Sequence, residues 1–154
     1  MTIGKLKYVG KDIEQLIPQR KPFVMVDAFE AGEAPTTAGS LTGASCATSL
    51  SVRTDNYFML PGGEMSASGL IEHIAQSASA LAGHVAIQQG AVNPPVGMIA
   101  EVKHFVCQRC PRAGELVSTT ITMGFSFGSM TLCHGTSCIG DDTICEVDLK
   151  IFIK

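Results

Sequence analysis

The 154-residue sequence predicts a single α+β domain in which one antiparallel sheet wraps around one long central helix. The helix is predicted over residues 66–89, because apolar residues from Leu70 to Val85 recur every three or four positions. Its other faces carry Ala, Ser and Gly, small residues that let a sheet approach from more than one side. After the helix, residues 116–123 and 146–153 alternate between apolar and polar side chains, which indicates half-buried antiparallel strands.

Smaller elements are predicted before and after this helix. In order, they are a short helix at 12–16, a buried strand at 23–26, two strands around Leu41 and Leu50, an irregular segment at 54–64 and, after the prolines at 94–95, four strands. The Ile17-Pro18 step ends the first helix, because the residue before a proline disfavours helical geometry. No repeat or linker divides the chain, so residues 1–154 are predicted to form one domain.

Composition and charge exclude several classes of function. The chain carries a net charge of −3 at pH 7 and has a pI near 5.7, which argues against nucleic acid as its main partner. No apolar run approaches the ~20 residues that a membrane-spanning helix needs, and no apolar stretch follows the basic N-terminal residues as in a signal peptide. We therefore expect a cytoplasmic protein that binds neither nucleic acid nor membrane.

Six cysteines raise the question of disulfides or a metal site. Without a secretion signal, and with 45% hydrophobic residues, the chain is expected to hold reduced thiols that serve as small apolar side chains. Cys107 and Cys110 form a CxxC, which is half of a zinc site, but Cys133 and Cys138 are separated by four residues rather than two. The sequence therefore predicts neither a metal ion nor another cofactor.

Glu72 and Gln76 are the most informative polar residues of the predicted helix. They lie four positions apart, so their side chains share one face of a helix that is otherwise apolar or small. A buried carboxyl group without a partner is costly. A capping box does not explain it, because Gly69 stands where a Ser or Thr would have to cap the helix. From these residues alone, a structural role of Glu72 through the helix dipole and a functional role are equally open.

Five segments, taken in order, resemble the β-hydroxyacyl-acyl-carrier-protein dehydratase family along nearly the whole chain. Residues 13–27 resemble the family's start, in which leucine-proline-histidine-arginine, proline-phenylalanine and valine-aspartate follow one another. Residues 60–62 resemble part of its active-site loop, and residues 69–76 the start of its central helix, with the acid and the glutamine. Residues 96–98 and 111–116 resemble a later strand and the turn before the next one. It is their common order and spacing that make the resemblance specific.

The resemblance implies a hot-dog fold and a homodimer, or a larger dimer-based oligomer, with substrate tunnels between subunits. In that family a carboxylate and a loop histidine from opposite subunits remove water from a 3-hydroxyacyl thioester on acyl carrier protein and leave an enoyl thioester. Glu72 matches the acid, and Gly69 lies near the backbone donor that stabilises the thioester oxygen. The other residues expected beside the substrate are Gln76, Met59, Pro61 and Gly62.

The chain departs from the family at the catalytic loop, where Met59 stands in place of the histidine. Methionine cannot accept a proton, and no histidine occurs before His73. His73 in turn points about 100° round the helix from Glu72. In keeping the helix acid without the loop histidine, the chain is similar to dehydratase-like proteins of aryl polyene-type pigment pathways. This similarity suggests that it belongs to the aryl polyene-type branch of the family.

Three further histidines are candidates for a replacement base. His84 lies about three turns along the helix from Glu72, and His134 lies in a later strand. His104 alternates with Ala100 and Val102 on a strand face that could turn toward the helix. We therefore take His104 as the candidate for a second catalytic residue, although a single strand histidine is more often structural.

Basic residues gather in the segment 101–114, where Lys103, Arg109 and Arg112 lie. Acyl carrier proteins are acidic, so a basic rim at a tunnel mouth would favour their docking. The alternative for each of these residues is an ordinary solvated turn.

Three functions remain open at this point. The first is a dehydratase that acts on 3-hydroxyacyl groups of a carrier protein, with Glu72 as the central residue. The second is a catalytically incomplete subunit that forms a heterodimer with a complete hot-dog dehydratase. The third is a hot-dog acyl thioesterase, in which a helix carboxylate activates water against the thioester carbonyl; Gly62 and Gly63 in the loop are compatible with it.

Overall fold

A computed structural model describes residues 6–93 and 95–153, and a 22-residue helix, α1 (Ala67–Gln88), lies at the centre of the molecule. Ser66 caps it, because its Oγ accepts a hydrogen bond from the N–H of Gly69. The predicted range of 66–89 is therefore confirmed to within one residue at each end. None of the helices in the described residues is long and apolar enough to cross a bilayer.

Within the described residues, seven strands form one antiparallel sheet around this helix, in the spatial order β1-β2-β3-β5-β6-β7-β4. Their bounds are β1 Lys7–Val9, β2 Ala28–Ala31, β3 Ser45–Ser51, β4 Gly97–Cys107, β5 Leu116–Phe127, β6 Met130–Ile139 and β7 Asp142–Ile153. A short 3-10 helix, Gly10–Gln15, follows β1 and covers the predicted short helix except for its last residue. The prediction of an α+β fold with an antiparallel sheet wrapped around one long helix is confirmed.

The alternation in the late strands has the predicted orientation. In β5, Val117, Ile121 and Met123 are buried, while their neighbours on the other face are exposed. In β7, Val147 and Leu149 are likewise buried, while Glu146 is exposed and Asp148 and Lys150 are half-buried. The buried side chains meet the apolar and small residues of α1 in one continuous core. The period-two pattern thus assigned the inward face correctly, because a side chain on a pleated strand can only point to one face or the other.

The predicted strand at 23–26 is wrong, and the structure shows why. Met25 is fully buried, but its backbone does not join the sheet. Its N–H donates to Oε1 of Gln76 at 2.6 Å, and its carbonyl oxygen accepts from Nδ1 of His73 at 2.6 Å. Side chains of α1 therefore replace the partner strand, and the ladder begins only at Ala28. The short strands β1 and β2 were not predicted.

The predicted strand around Leu41 is also wrong, whereas the one around Leu50 is confirmed as β3. Leu41 lies in a closed turn, where the N–H of Thr36 donates to the carbonyl of Thr42 at 2.9 Å. Gly43 follows with φ of +86°, which departs from the extended backbone of a regular strand. The irregular segment at 54–64 is confirmed apart from isolated pairings of single residues.

β4 forms one edge of the sheet in the described part of the chain and pairs only with β7. Its register shifts twice, between Ile99 and Glu101 and again between Lys103 and Val106. Four of its apolar side chains are exposed, namely Met98, Ile99, Val102 and Val106. A long edge strand with exposed apolar side chains is a surface that another protein chain can cover.

Candidate active site

Glu72 lines a cleft of about 270 Å³ that lies between α1 and the first residues of β4. Helical spacing places Ala75, Gln76 and Ser79 on the same side as Glu72, and these four residues form the helix wall of the cleft. The opposite walls come from Gln19 and from residues 97–99 and 151. Glu72 itself is half-buried, so it is reachable from the cleft without being fully desolvated.

Gln76 ties this carboxylate to the segment before β2. The glutamine is buried, and its Nε2 donates to Oε1 of Glu72 at 2.9 Å and to the carbonyl of Phe23 at 2.7 Å. Its Oε1 accepts the N–H of Met25. Every polar atom of this side chain is thereby used inside the protein. Gln76 orients Glu72 and fixes the cleft wall, and its predicted contact with the substrate stays a prediction.

His73 lies on the other side of the helix, as its position in the sequence predicts. It is fully buried, with Nδ1 bonded to the carbonyl of Met25 and Nε2 at 2.8 Å from Oγ1 of Thr119. Burial lowers the pKa of His73 to about 4, so the ring is neutral near pH 7. A neutral ring with Nδ1–H donating to Met25 then accepts at Nε2 from the Thr119 hydroxyl. His73 is a structural histidine that connects the helix to β5.

The loop that precedes α1 is anchored away from the cleft. The carbonyl of Gly62 accepts a hydrogen bond from Nη2 of Arg112 at 2.8 Å, and Met59 pairs with Met65 in an isolated bridge. The N–H of Gly69 donates to the carbonyl and to Oγ of Ser66. None of Met59, Pro61, Gly62 and Gly69 borders the Glu72 cleft. Their roles beside the substrate therefore stay predictions.

His104 does not face the helix, so the expectation about its orientation is wrong. It lies within the second register shift of β4, with φ of +53°, and its side chain is 77% exposed. Its Nδ1 is 2.9 Å from Oδ2 of Asp148, and Nδ1 of His134 is 2.7 Å from Oδ1 of the same carboxylate. The two histidines lower the pKa of Asp148, His134 having the larger effect. Because the neighbours of Asp148 in β7 point into the core, this cluster lies on the outer face of the sheet.

The basic residues of the predicted docking surface have partners within the chain. Lys103 pairs with Glu101 at 3.2 Å, and Arg109 makes two hydrogen bonds of 3.0 Å with the carboxylate of Glu115. The Arg109 guanidinium, followed by the N–H of Arg112, lowers the pKa of Glu115 to about 2. The contacts of Glu115 with Arg109 and Arg112 stabilise the turn before β5. Binding of a carrier protein at these residues stays a prediction.

The six cysteines are free thiols. Burial raises the pKa of Cys133 and of Cys145 to about 12, and it raises the pKa of Cys46 still further. These three side chains therefore stay protonated and pack as small apolar groups, as the sequence predicts. Within residues 6–93 and 95–153, no group of three or more His, Cys, Asp or Glu side chains is placed to hold a metal ion.

Comparison with known proteins decides the family. The family model of ApeP-like proteins, described as ApeP dehydratase, matches residues 11–153. The chain belongs to this family. The resemblance to hot-dog dehydratases and to their aryl polyene-type branch is thereby confirmed. Membership in the ApeP-like family gives the chain a dehydratase-like function and does not favour the thioesterase alternative. No curated protein matches the chain by sequence.

Solved structures show how far the fold of this ApeP-like chain is shared. The dehydratase heterocomplex ApeI:P from Xenorhabdus doucetiae superposes with a TM-score of 0.76 at 14% identity, covering 96% of this chain and 92% of that one. A hypothetical thioesterase with coenzyme A from Streptococcus pneumoniae gives 0.59 at 8% identity, covering 82% and 85%. PaaI from the phenylacetic acid degradation operon of Escherichia coli gives 0.57 at 7%, covering 80% and 82%. At these identities the likeness concerns the fold.

Gln19 is the residue of this ApeP-like chain that the sequence analysis missed. It borders the cleft of Glu72, and its Oε1 is buried without a hydrogen-bond partner in the described residues. A signal was present, because Gln19 stands at the histidine of the leucine-proline-histidine-arginine start that the family shows. Helical spacing also indicates Ser79, seven positions after Glu72, whereas no pattern of spacing indicates Met98 of the same cleft.

Proposed function

We propose that this chain acts as one subunit of a hot-dog dehydratase that removes water from a 3-hydroxyacyl group on acyl carrier protein, with Glu72 as the acid. The observation that supports this most is the cleft itself. It presents a half-buried carboxylate oriented by Gln76, and none of the four histidines, all of which the structure describes, borders it. The second catalytic group must then come from another subunit.

The position of the cleft supports such a partner. Met98 and Ile99 line the cleft, and both are exposed residues of the edge strand β4. A second subunit that covers the apolar side chains of β4 would therefore also close the cleft over Glu72. The structure from X. doucetiae is named a dehydratase heterocomplex, which favours a second hot-dog protein as the partner. A homodimer would bring together two subunits that both lack the loop histidine.

The chemistry then divides between the two subunits. A histidine of the partner removes the proton from the α-carbon of the thioester, and the electron pair of that bond forms the carbon–carbon double bond. Glu72, protonated, donates its proton to the 3-hydroxyl as the carbon–oxygen bond breaks, and water leaves. In hydration of the enoyl product, the same groups exchange roles. The substrate, in this proposal, is an acyl chain of polyene biosynthesis.

Hydration of a 2-octenoyl group on acyl carrier protein tests this proposal. Activity is measured for the purified chain alone and for its mixture with a histidine-bearing hot-dog dehydratase of the same cell. Both samples are then prepared with Glu72→Gln. The control is Glu146→Gln, which changes an exposed carboxylate of β7. We expect turnover that depends on the mixture and falls about 10²- to 10⁴-fold with Glu72→Gln, because a positioned acid is lost. Full activity of Glu72→Gln in the mixture would contradict the proposal.

A further inference from the structure

Gln19 lines the Glu72 cleft and holds a hydrogen-bond acceptor that the described residues leave unused. Its Oε1 is shielded from solvent and has no partner in the described residues, and the side chain forms part of the cleft wall. Buried polar atoms are almost always hydrogen-bonded, so an unsatisfied one requires an explanation. Gln76, the other side-chain amide of the cleft, has all of its bonds within the described residues, so Gln19 is the amide of the cleft with an acceptor left to offer.

The backbone around Gln19 is held rigidly. The guanidinium of Arg20 donates from Nη1 to the carbonyls of Ile17 and Gln19, both at 2.8 Å. Its Nη2 donates to the carbonyl of Glu14 at 3.1 Å, and its Nε lies 3.1 Å from the Glu14 carboxylate. Because the backbone at Gln19 is fixed by these bonds, its side chain can keep its position although its Oε1 has no hydrogen bond. An acceptor that binds a ligand has to be positioned in this way before the ligand arrives.

We propose that Oε1 of Gln19 accepts a hydrogen bond from the 3-hydroxyl group of the substrate and thereby turns the oxygen of that group toward Glu72. The inference rests on the proposed function, since it assigns the group that Glu72 protonates. A hydroxyl has one hydrogen to donate and two lone pairs to accept with. With its hydrogen on Gln19, a lone pair faces the proton of Glu72. The departing water keeps the original hydrogen, gains the one from Glu72, and takes the electron pair of the carbon–oxygen bond.

The same contact makes Gln19 a residue that distinguishes substrate from other acyl chains. A saturated acyl group offers no donor at its third carbon, so binding it leaves Oε1 unsatisfied. A site built to hydrogen-bond a hydroxyl discriminates against an analogue without one for this reason. Gln19 is therefore a substrate-positioning residue whose effect is read in ligand preference.

The test compares the binding of 3-hydroxyoctanoyl pantetheine and octanoyl pantetheine to the purified oligomer by calorimetry. All proteins carry Glu72→Gln, so that neither ligand reacts. We expect Gln19→Met, similar in length but without an acceptor, to reduce the preference for the hydroxylated ligand by about threefold to tenfold, the effect of one neutral hydrogen bond. Gln15→Met, an exposed glutamine of the 3-10 helix, is the matched control and should leave the preference unchanged.

Two results would overturn the inference. One is an unchanged preference in folded Gln19→Met protein. The other is a preference that falls as far in Gln19→Glu, which keeps an acceptor at the same distance, as in Gln19→Met. Gln19→Ala replaces the methionine variant if that protein does not fold. Failure of the proposed function would be seen in a different experiment, the hydration assay, where Glu72→Gln would then keep full activity in the mixture.

Discussion

Replacing Gln76 by Leu removes three hydrogen bonds from the centre of the molecule while keeping a side chain of similar size. The N–H of Met25 loses its acceptor in a fully buried position, where water cannot replace it. The hydrogen bonds of Gln76 to the carbonyl of Phe23 and to Glu72 are only partly buried, so these two oxygens can bond to water instead. One buried unsatisfied donor costs about 1–3 kcal/mol, and the two remaining bonds add roughly 0.5 kcal/mol each, giving about 2–4 kcal/mol of lost stability.

Chemical unfolding followed by circular dichroism measures this loss directly, since the chain has no Trp for fluorescence. For a chain of this length, the same loss should lower Tm by roughly 5–15 °C. Both proteins must be compared at one concentration, because association of subunits adds to the apparent stability.

The matched control is Gln88→Leu, an exposed glutamine at the end of the same helix. It should change the free energy of unfolding by less than about 0.5 kcal/mol. If Gln76→Leu costs no more than this control, the segment 23–25 is not held by the side chains of α1, and the account of why it forms no strand is refuted.

Two further predictions concern residues outside the cleft. Burial lowers the pKa of His73 from 6.5 to about 4, so between these values the unfolded chain binds a proton that the folded chain does not. The free energy of unfolding should therefore be highest above pH 6.5 and decrease by up to about 3 kcal/mol toward pH 4. Urea unfolding at several pH values should show that the stability of His73→Gln varies less with pH. An equal dependence on pH in both proteins would contradict this assignment. A Cβ at Gly83 would collide with the carbonyl oxygen of Leu16, so Gly83→Ala should destabilise by about 1–3 kcal/mol although Ala usually favours helices. The control is Gly124→Ala, whose Cβ would have its nearest neighbour at 3.6 Å. A Gly83→Ala protein as stable as the parent would show that α1 and the segment around Leu16 can move apart without cost.

The parts of the fold that depend on local patterns were predictable. The extent of α1 follows from apolar spacing between Ser66 and Gln89, and the inward residues of β5 and β7 follow from alternation. Both patterns reflect the geometry of a single element, in which the positions of side chains repeat at a set period. Helical spacing likewise predicted that Glu72 and Gln76 share one face, and their hydrogen bond of 2.9 Å confirms it.

Contacts between distant segments were not predictable in this way. Residues 23–26 look like a buried strand because a buried segment is apolar whatever its backbone partners are, and here the partners are side chains more than forty residues away. The orientation of His104 depends on register shifts in β4, which alternation alone does not reveal.

Local patterns in the sequence are enough to establish the central helix, the inward faces of the late strands, the candidate acid and the missing loop histidine. Which groups surround Glu72 depends instead on the packing of distant segments. The tertiary structure brought Gln19 to the cleft, turned His104 to the outer face, and left the acid beside an exposed edge strand. The physical reason is that periodicity is a property of one element, whereas a site is formed where several elements meet, and their approach is set by packing of the whole core.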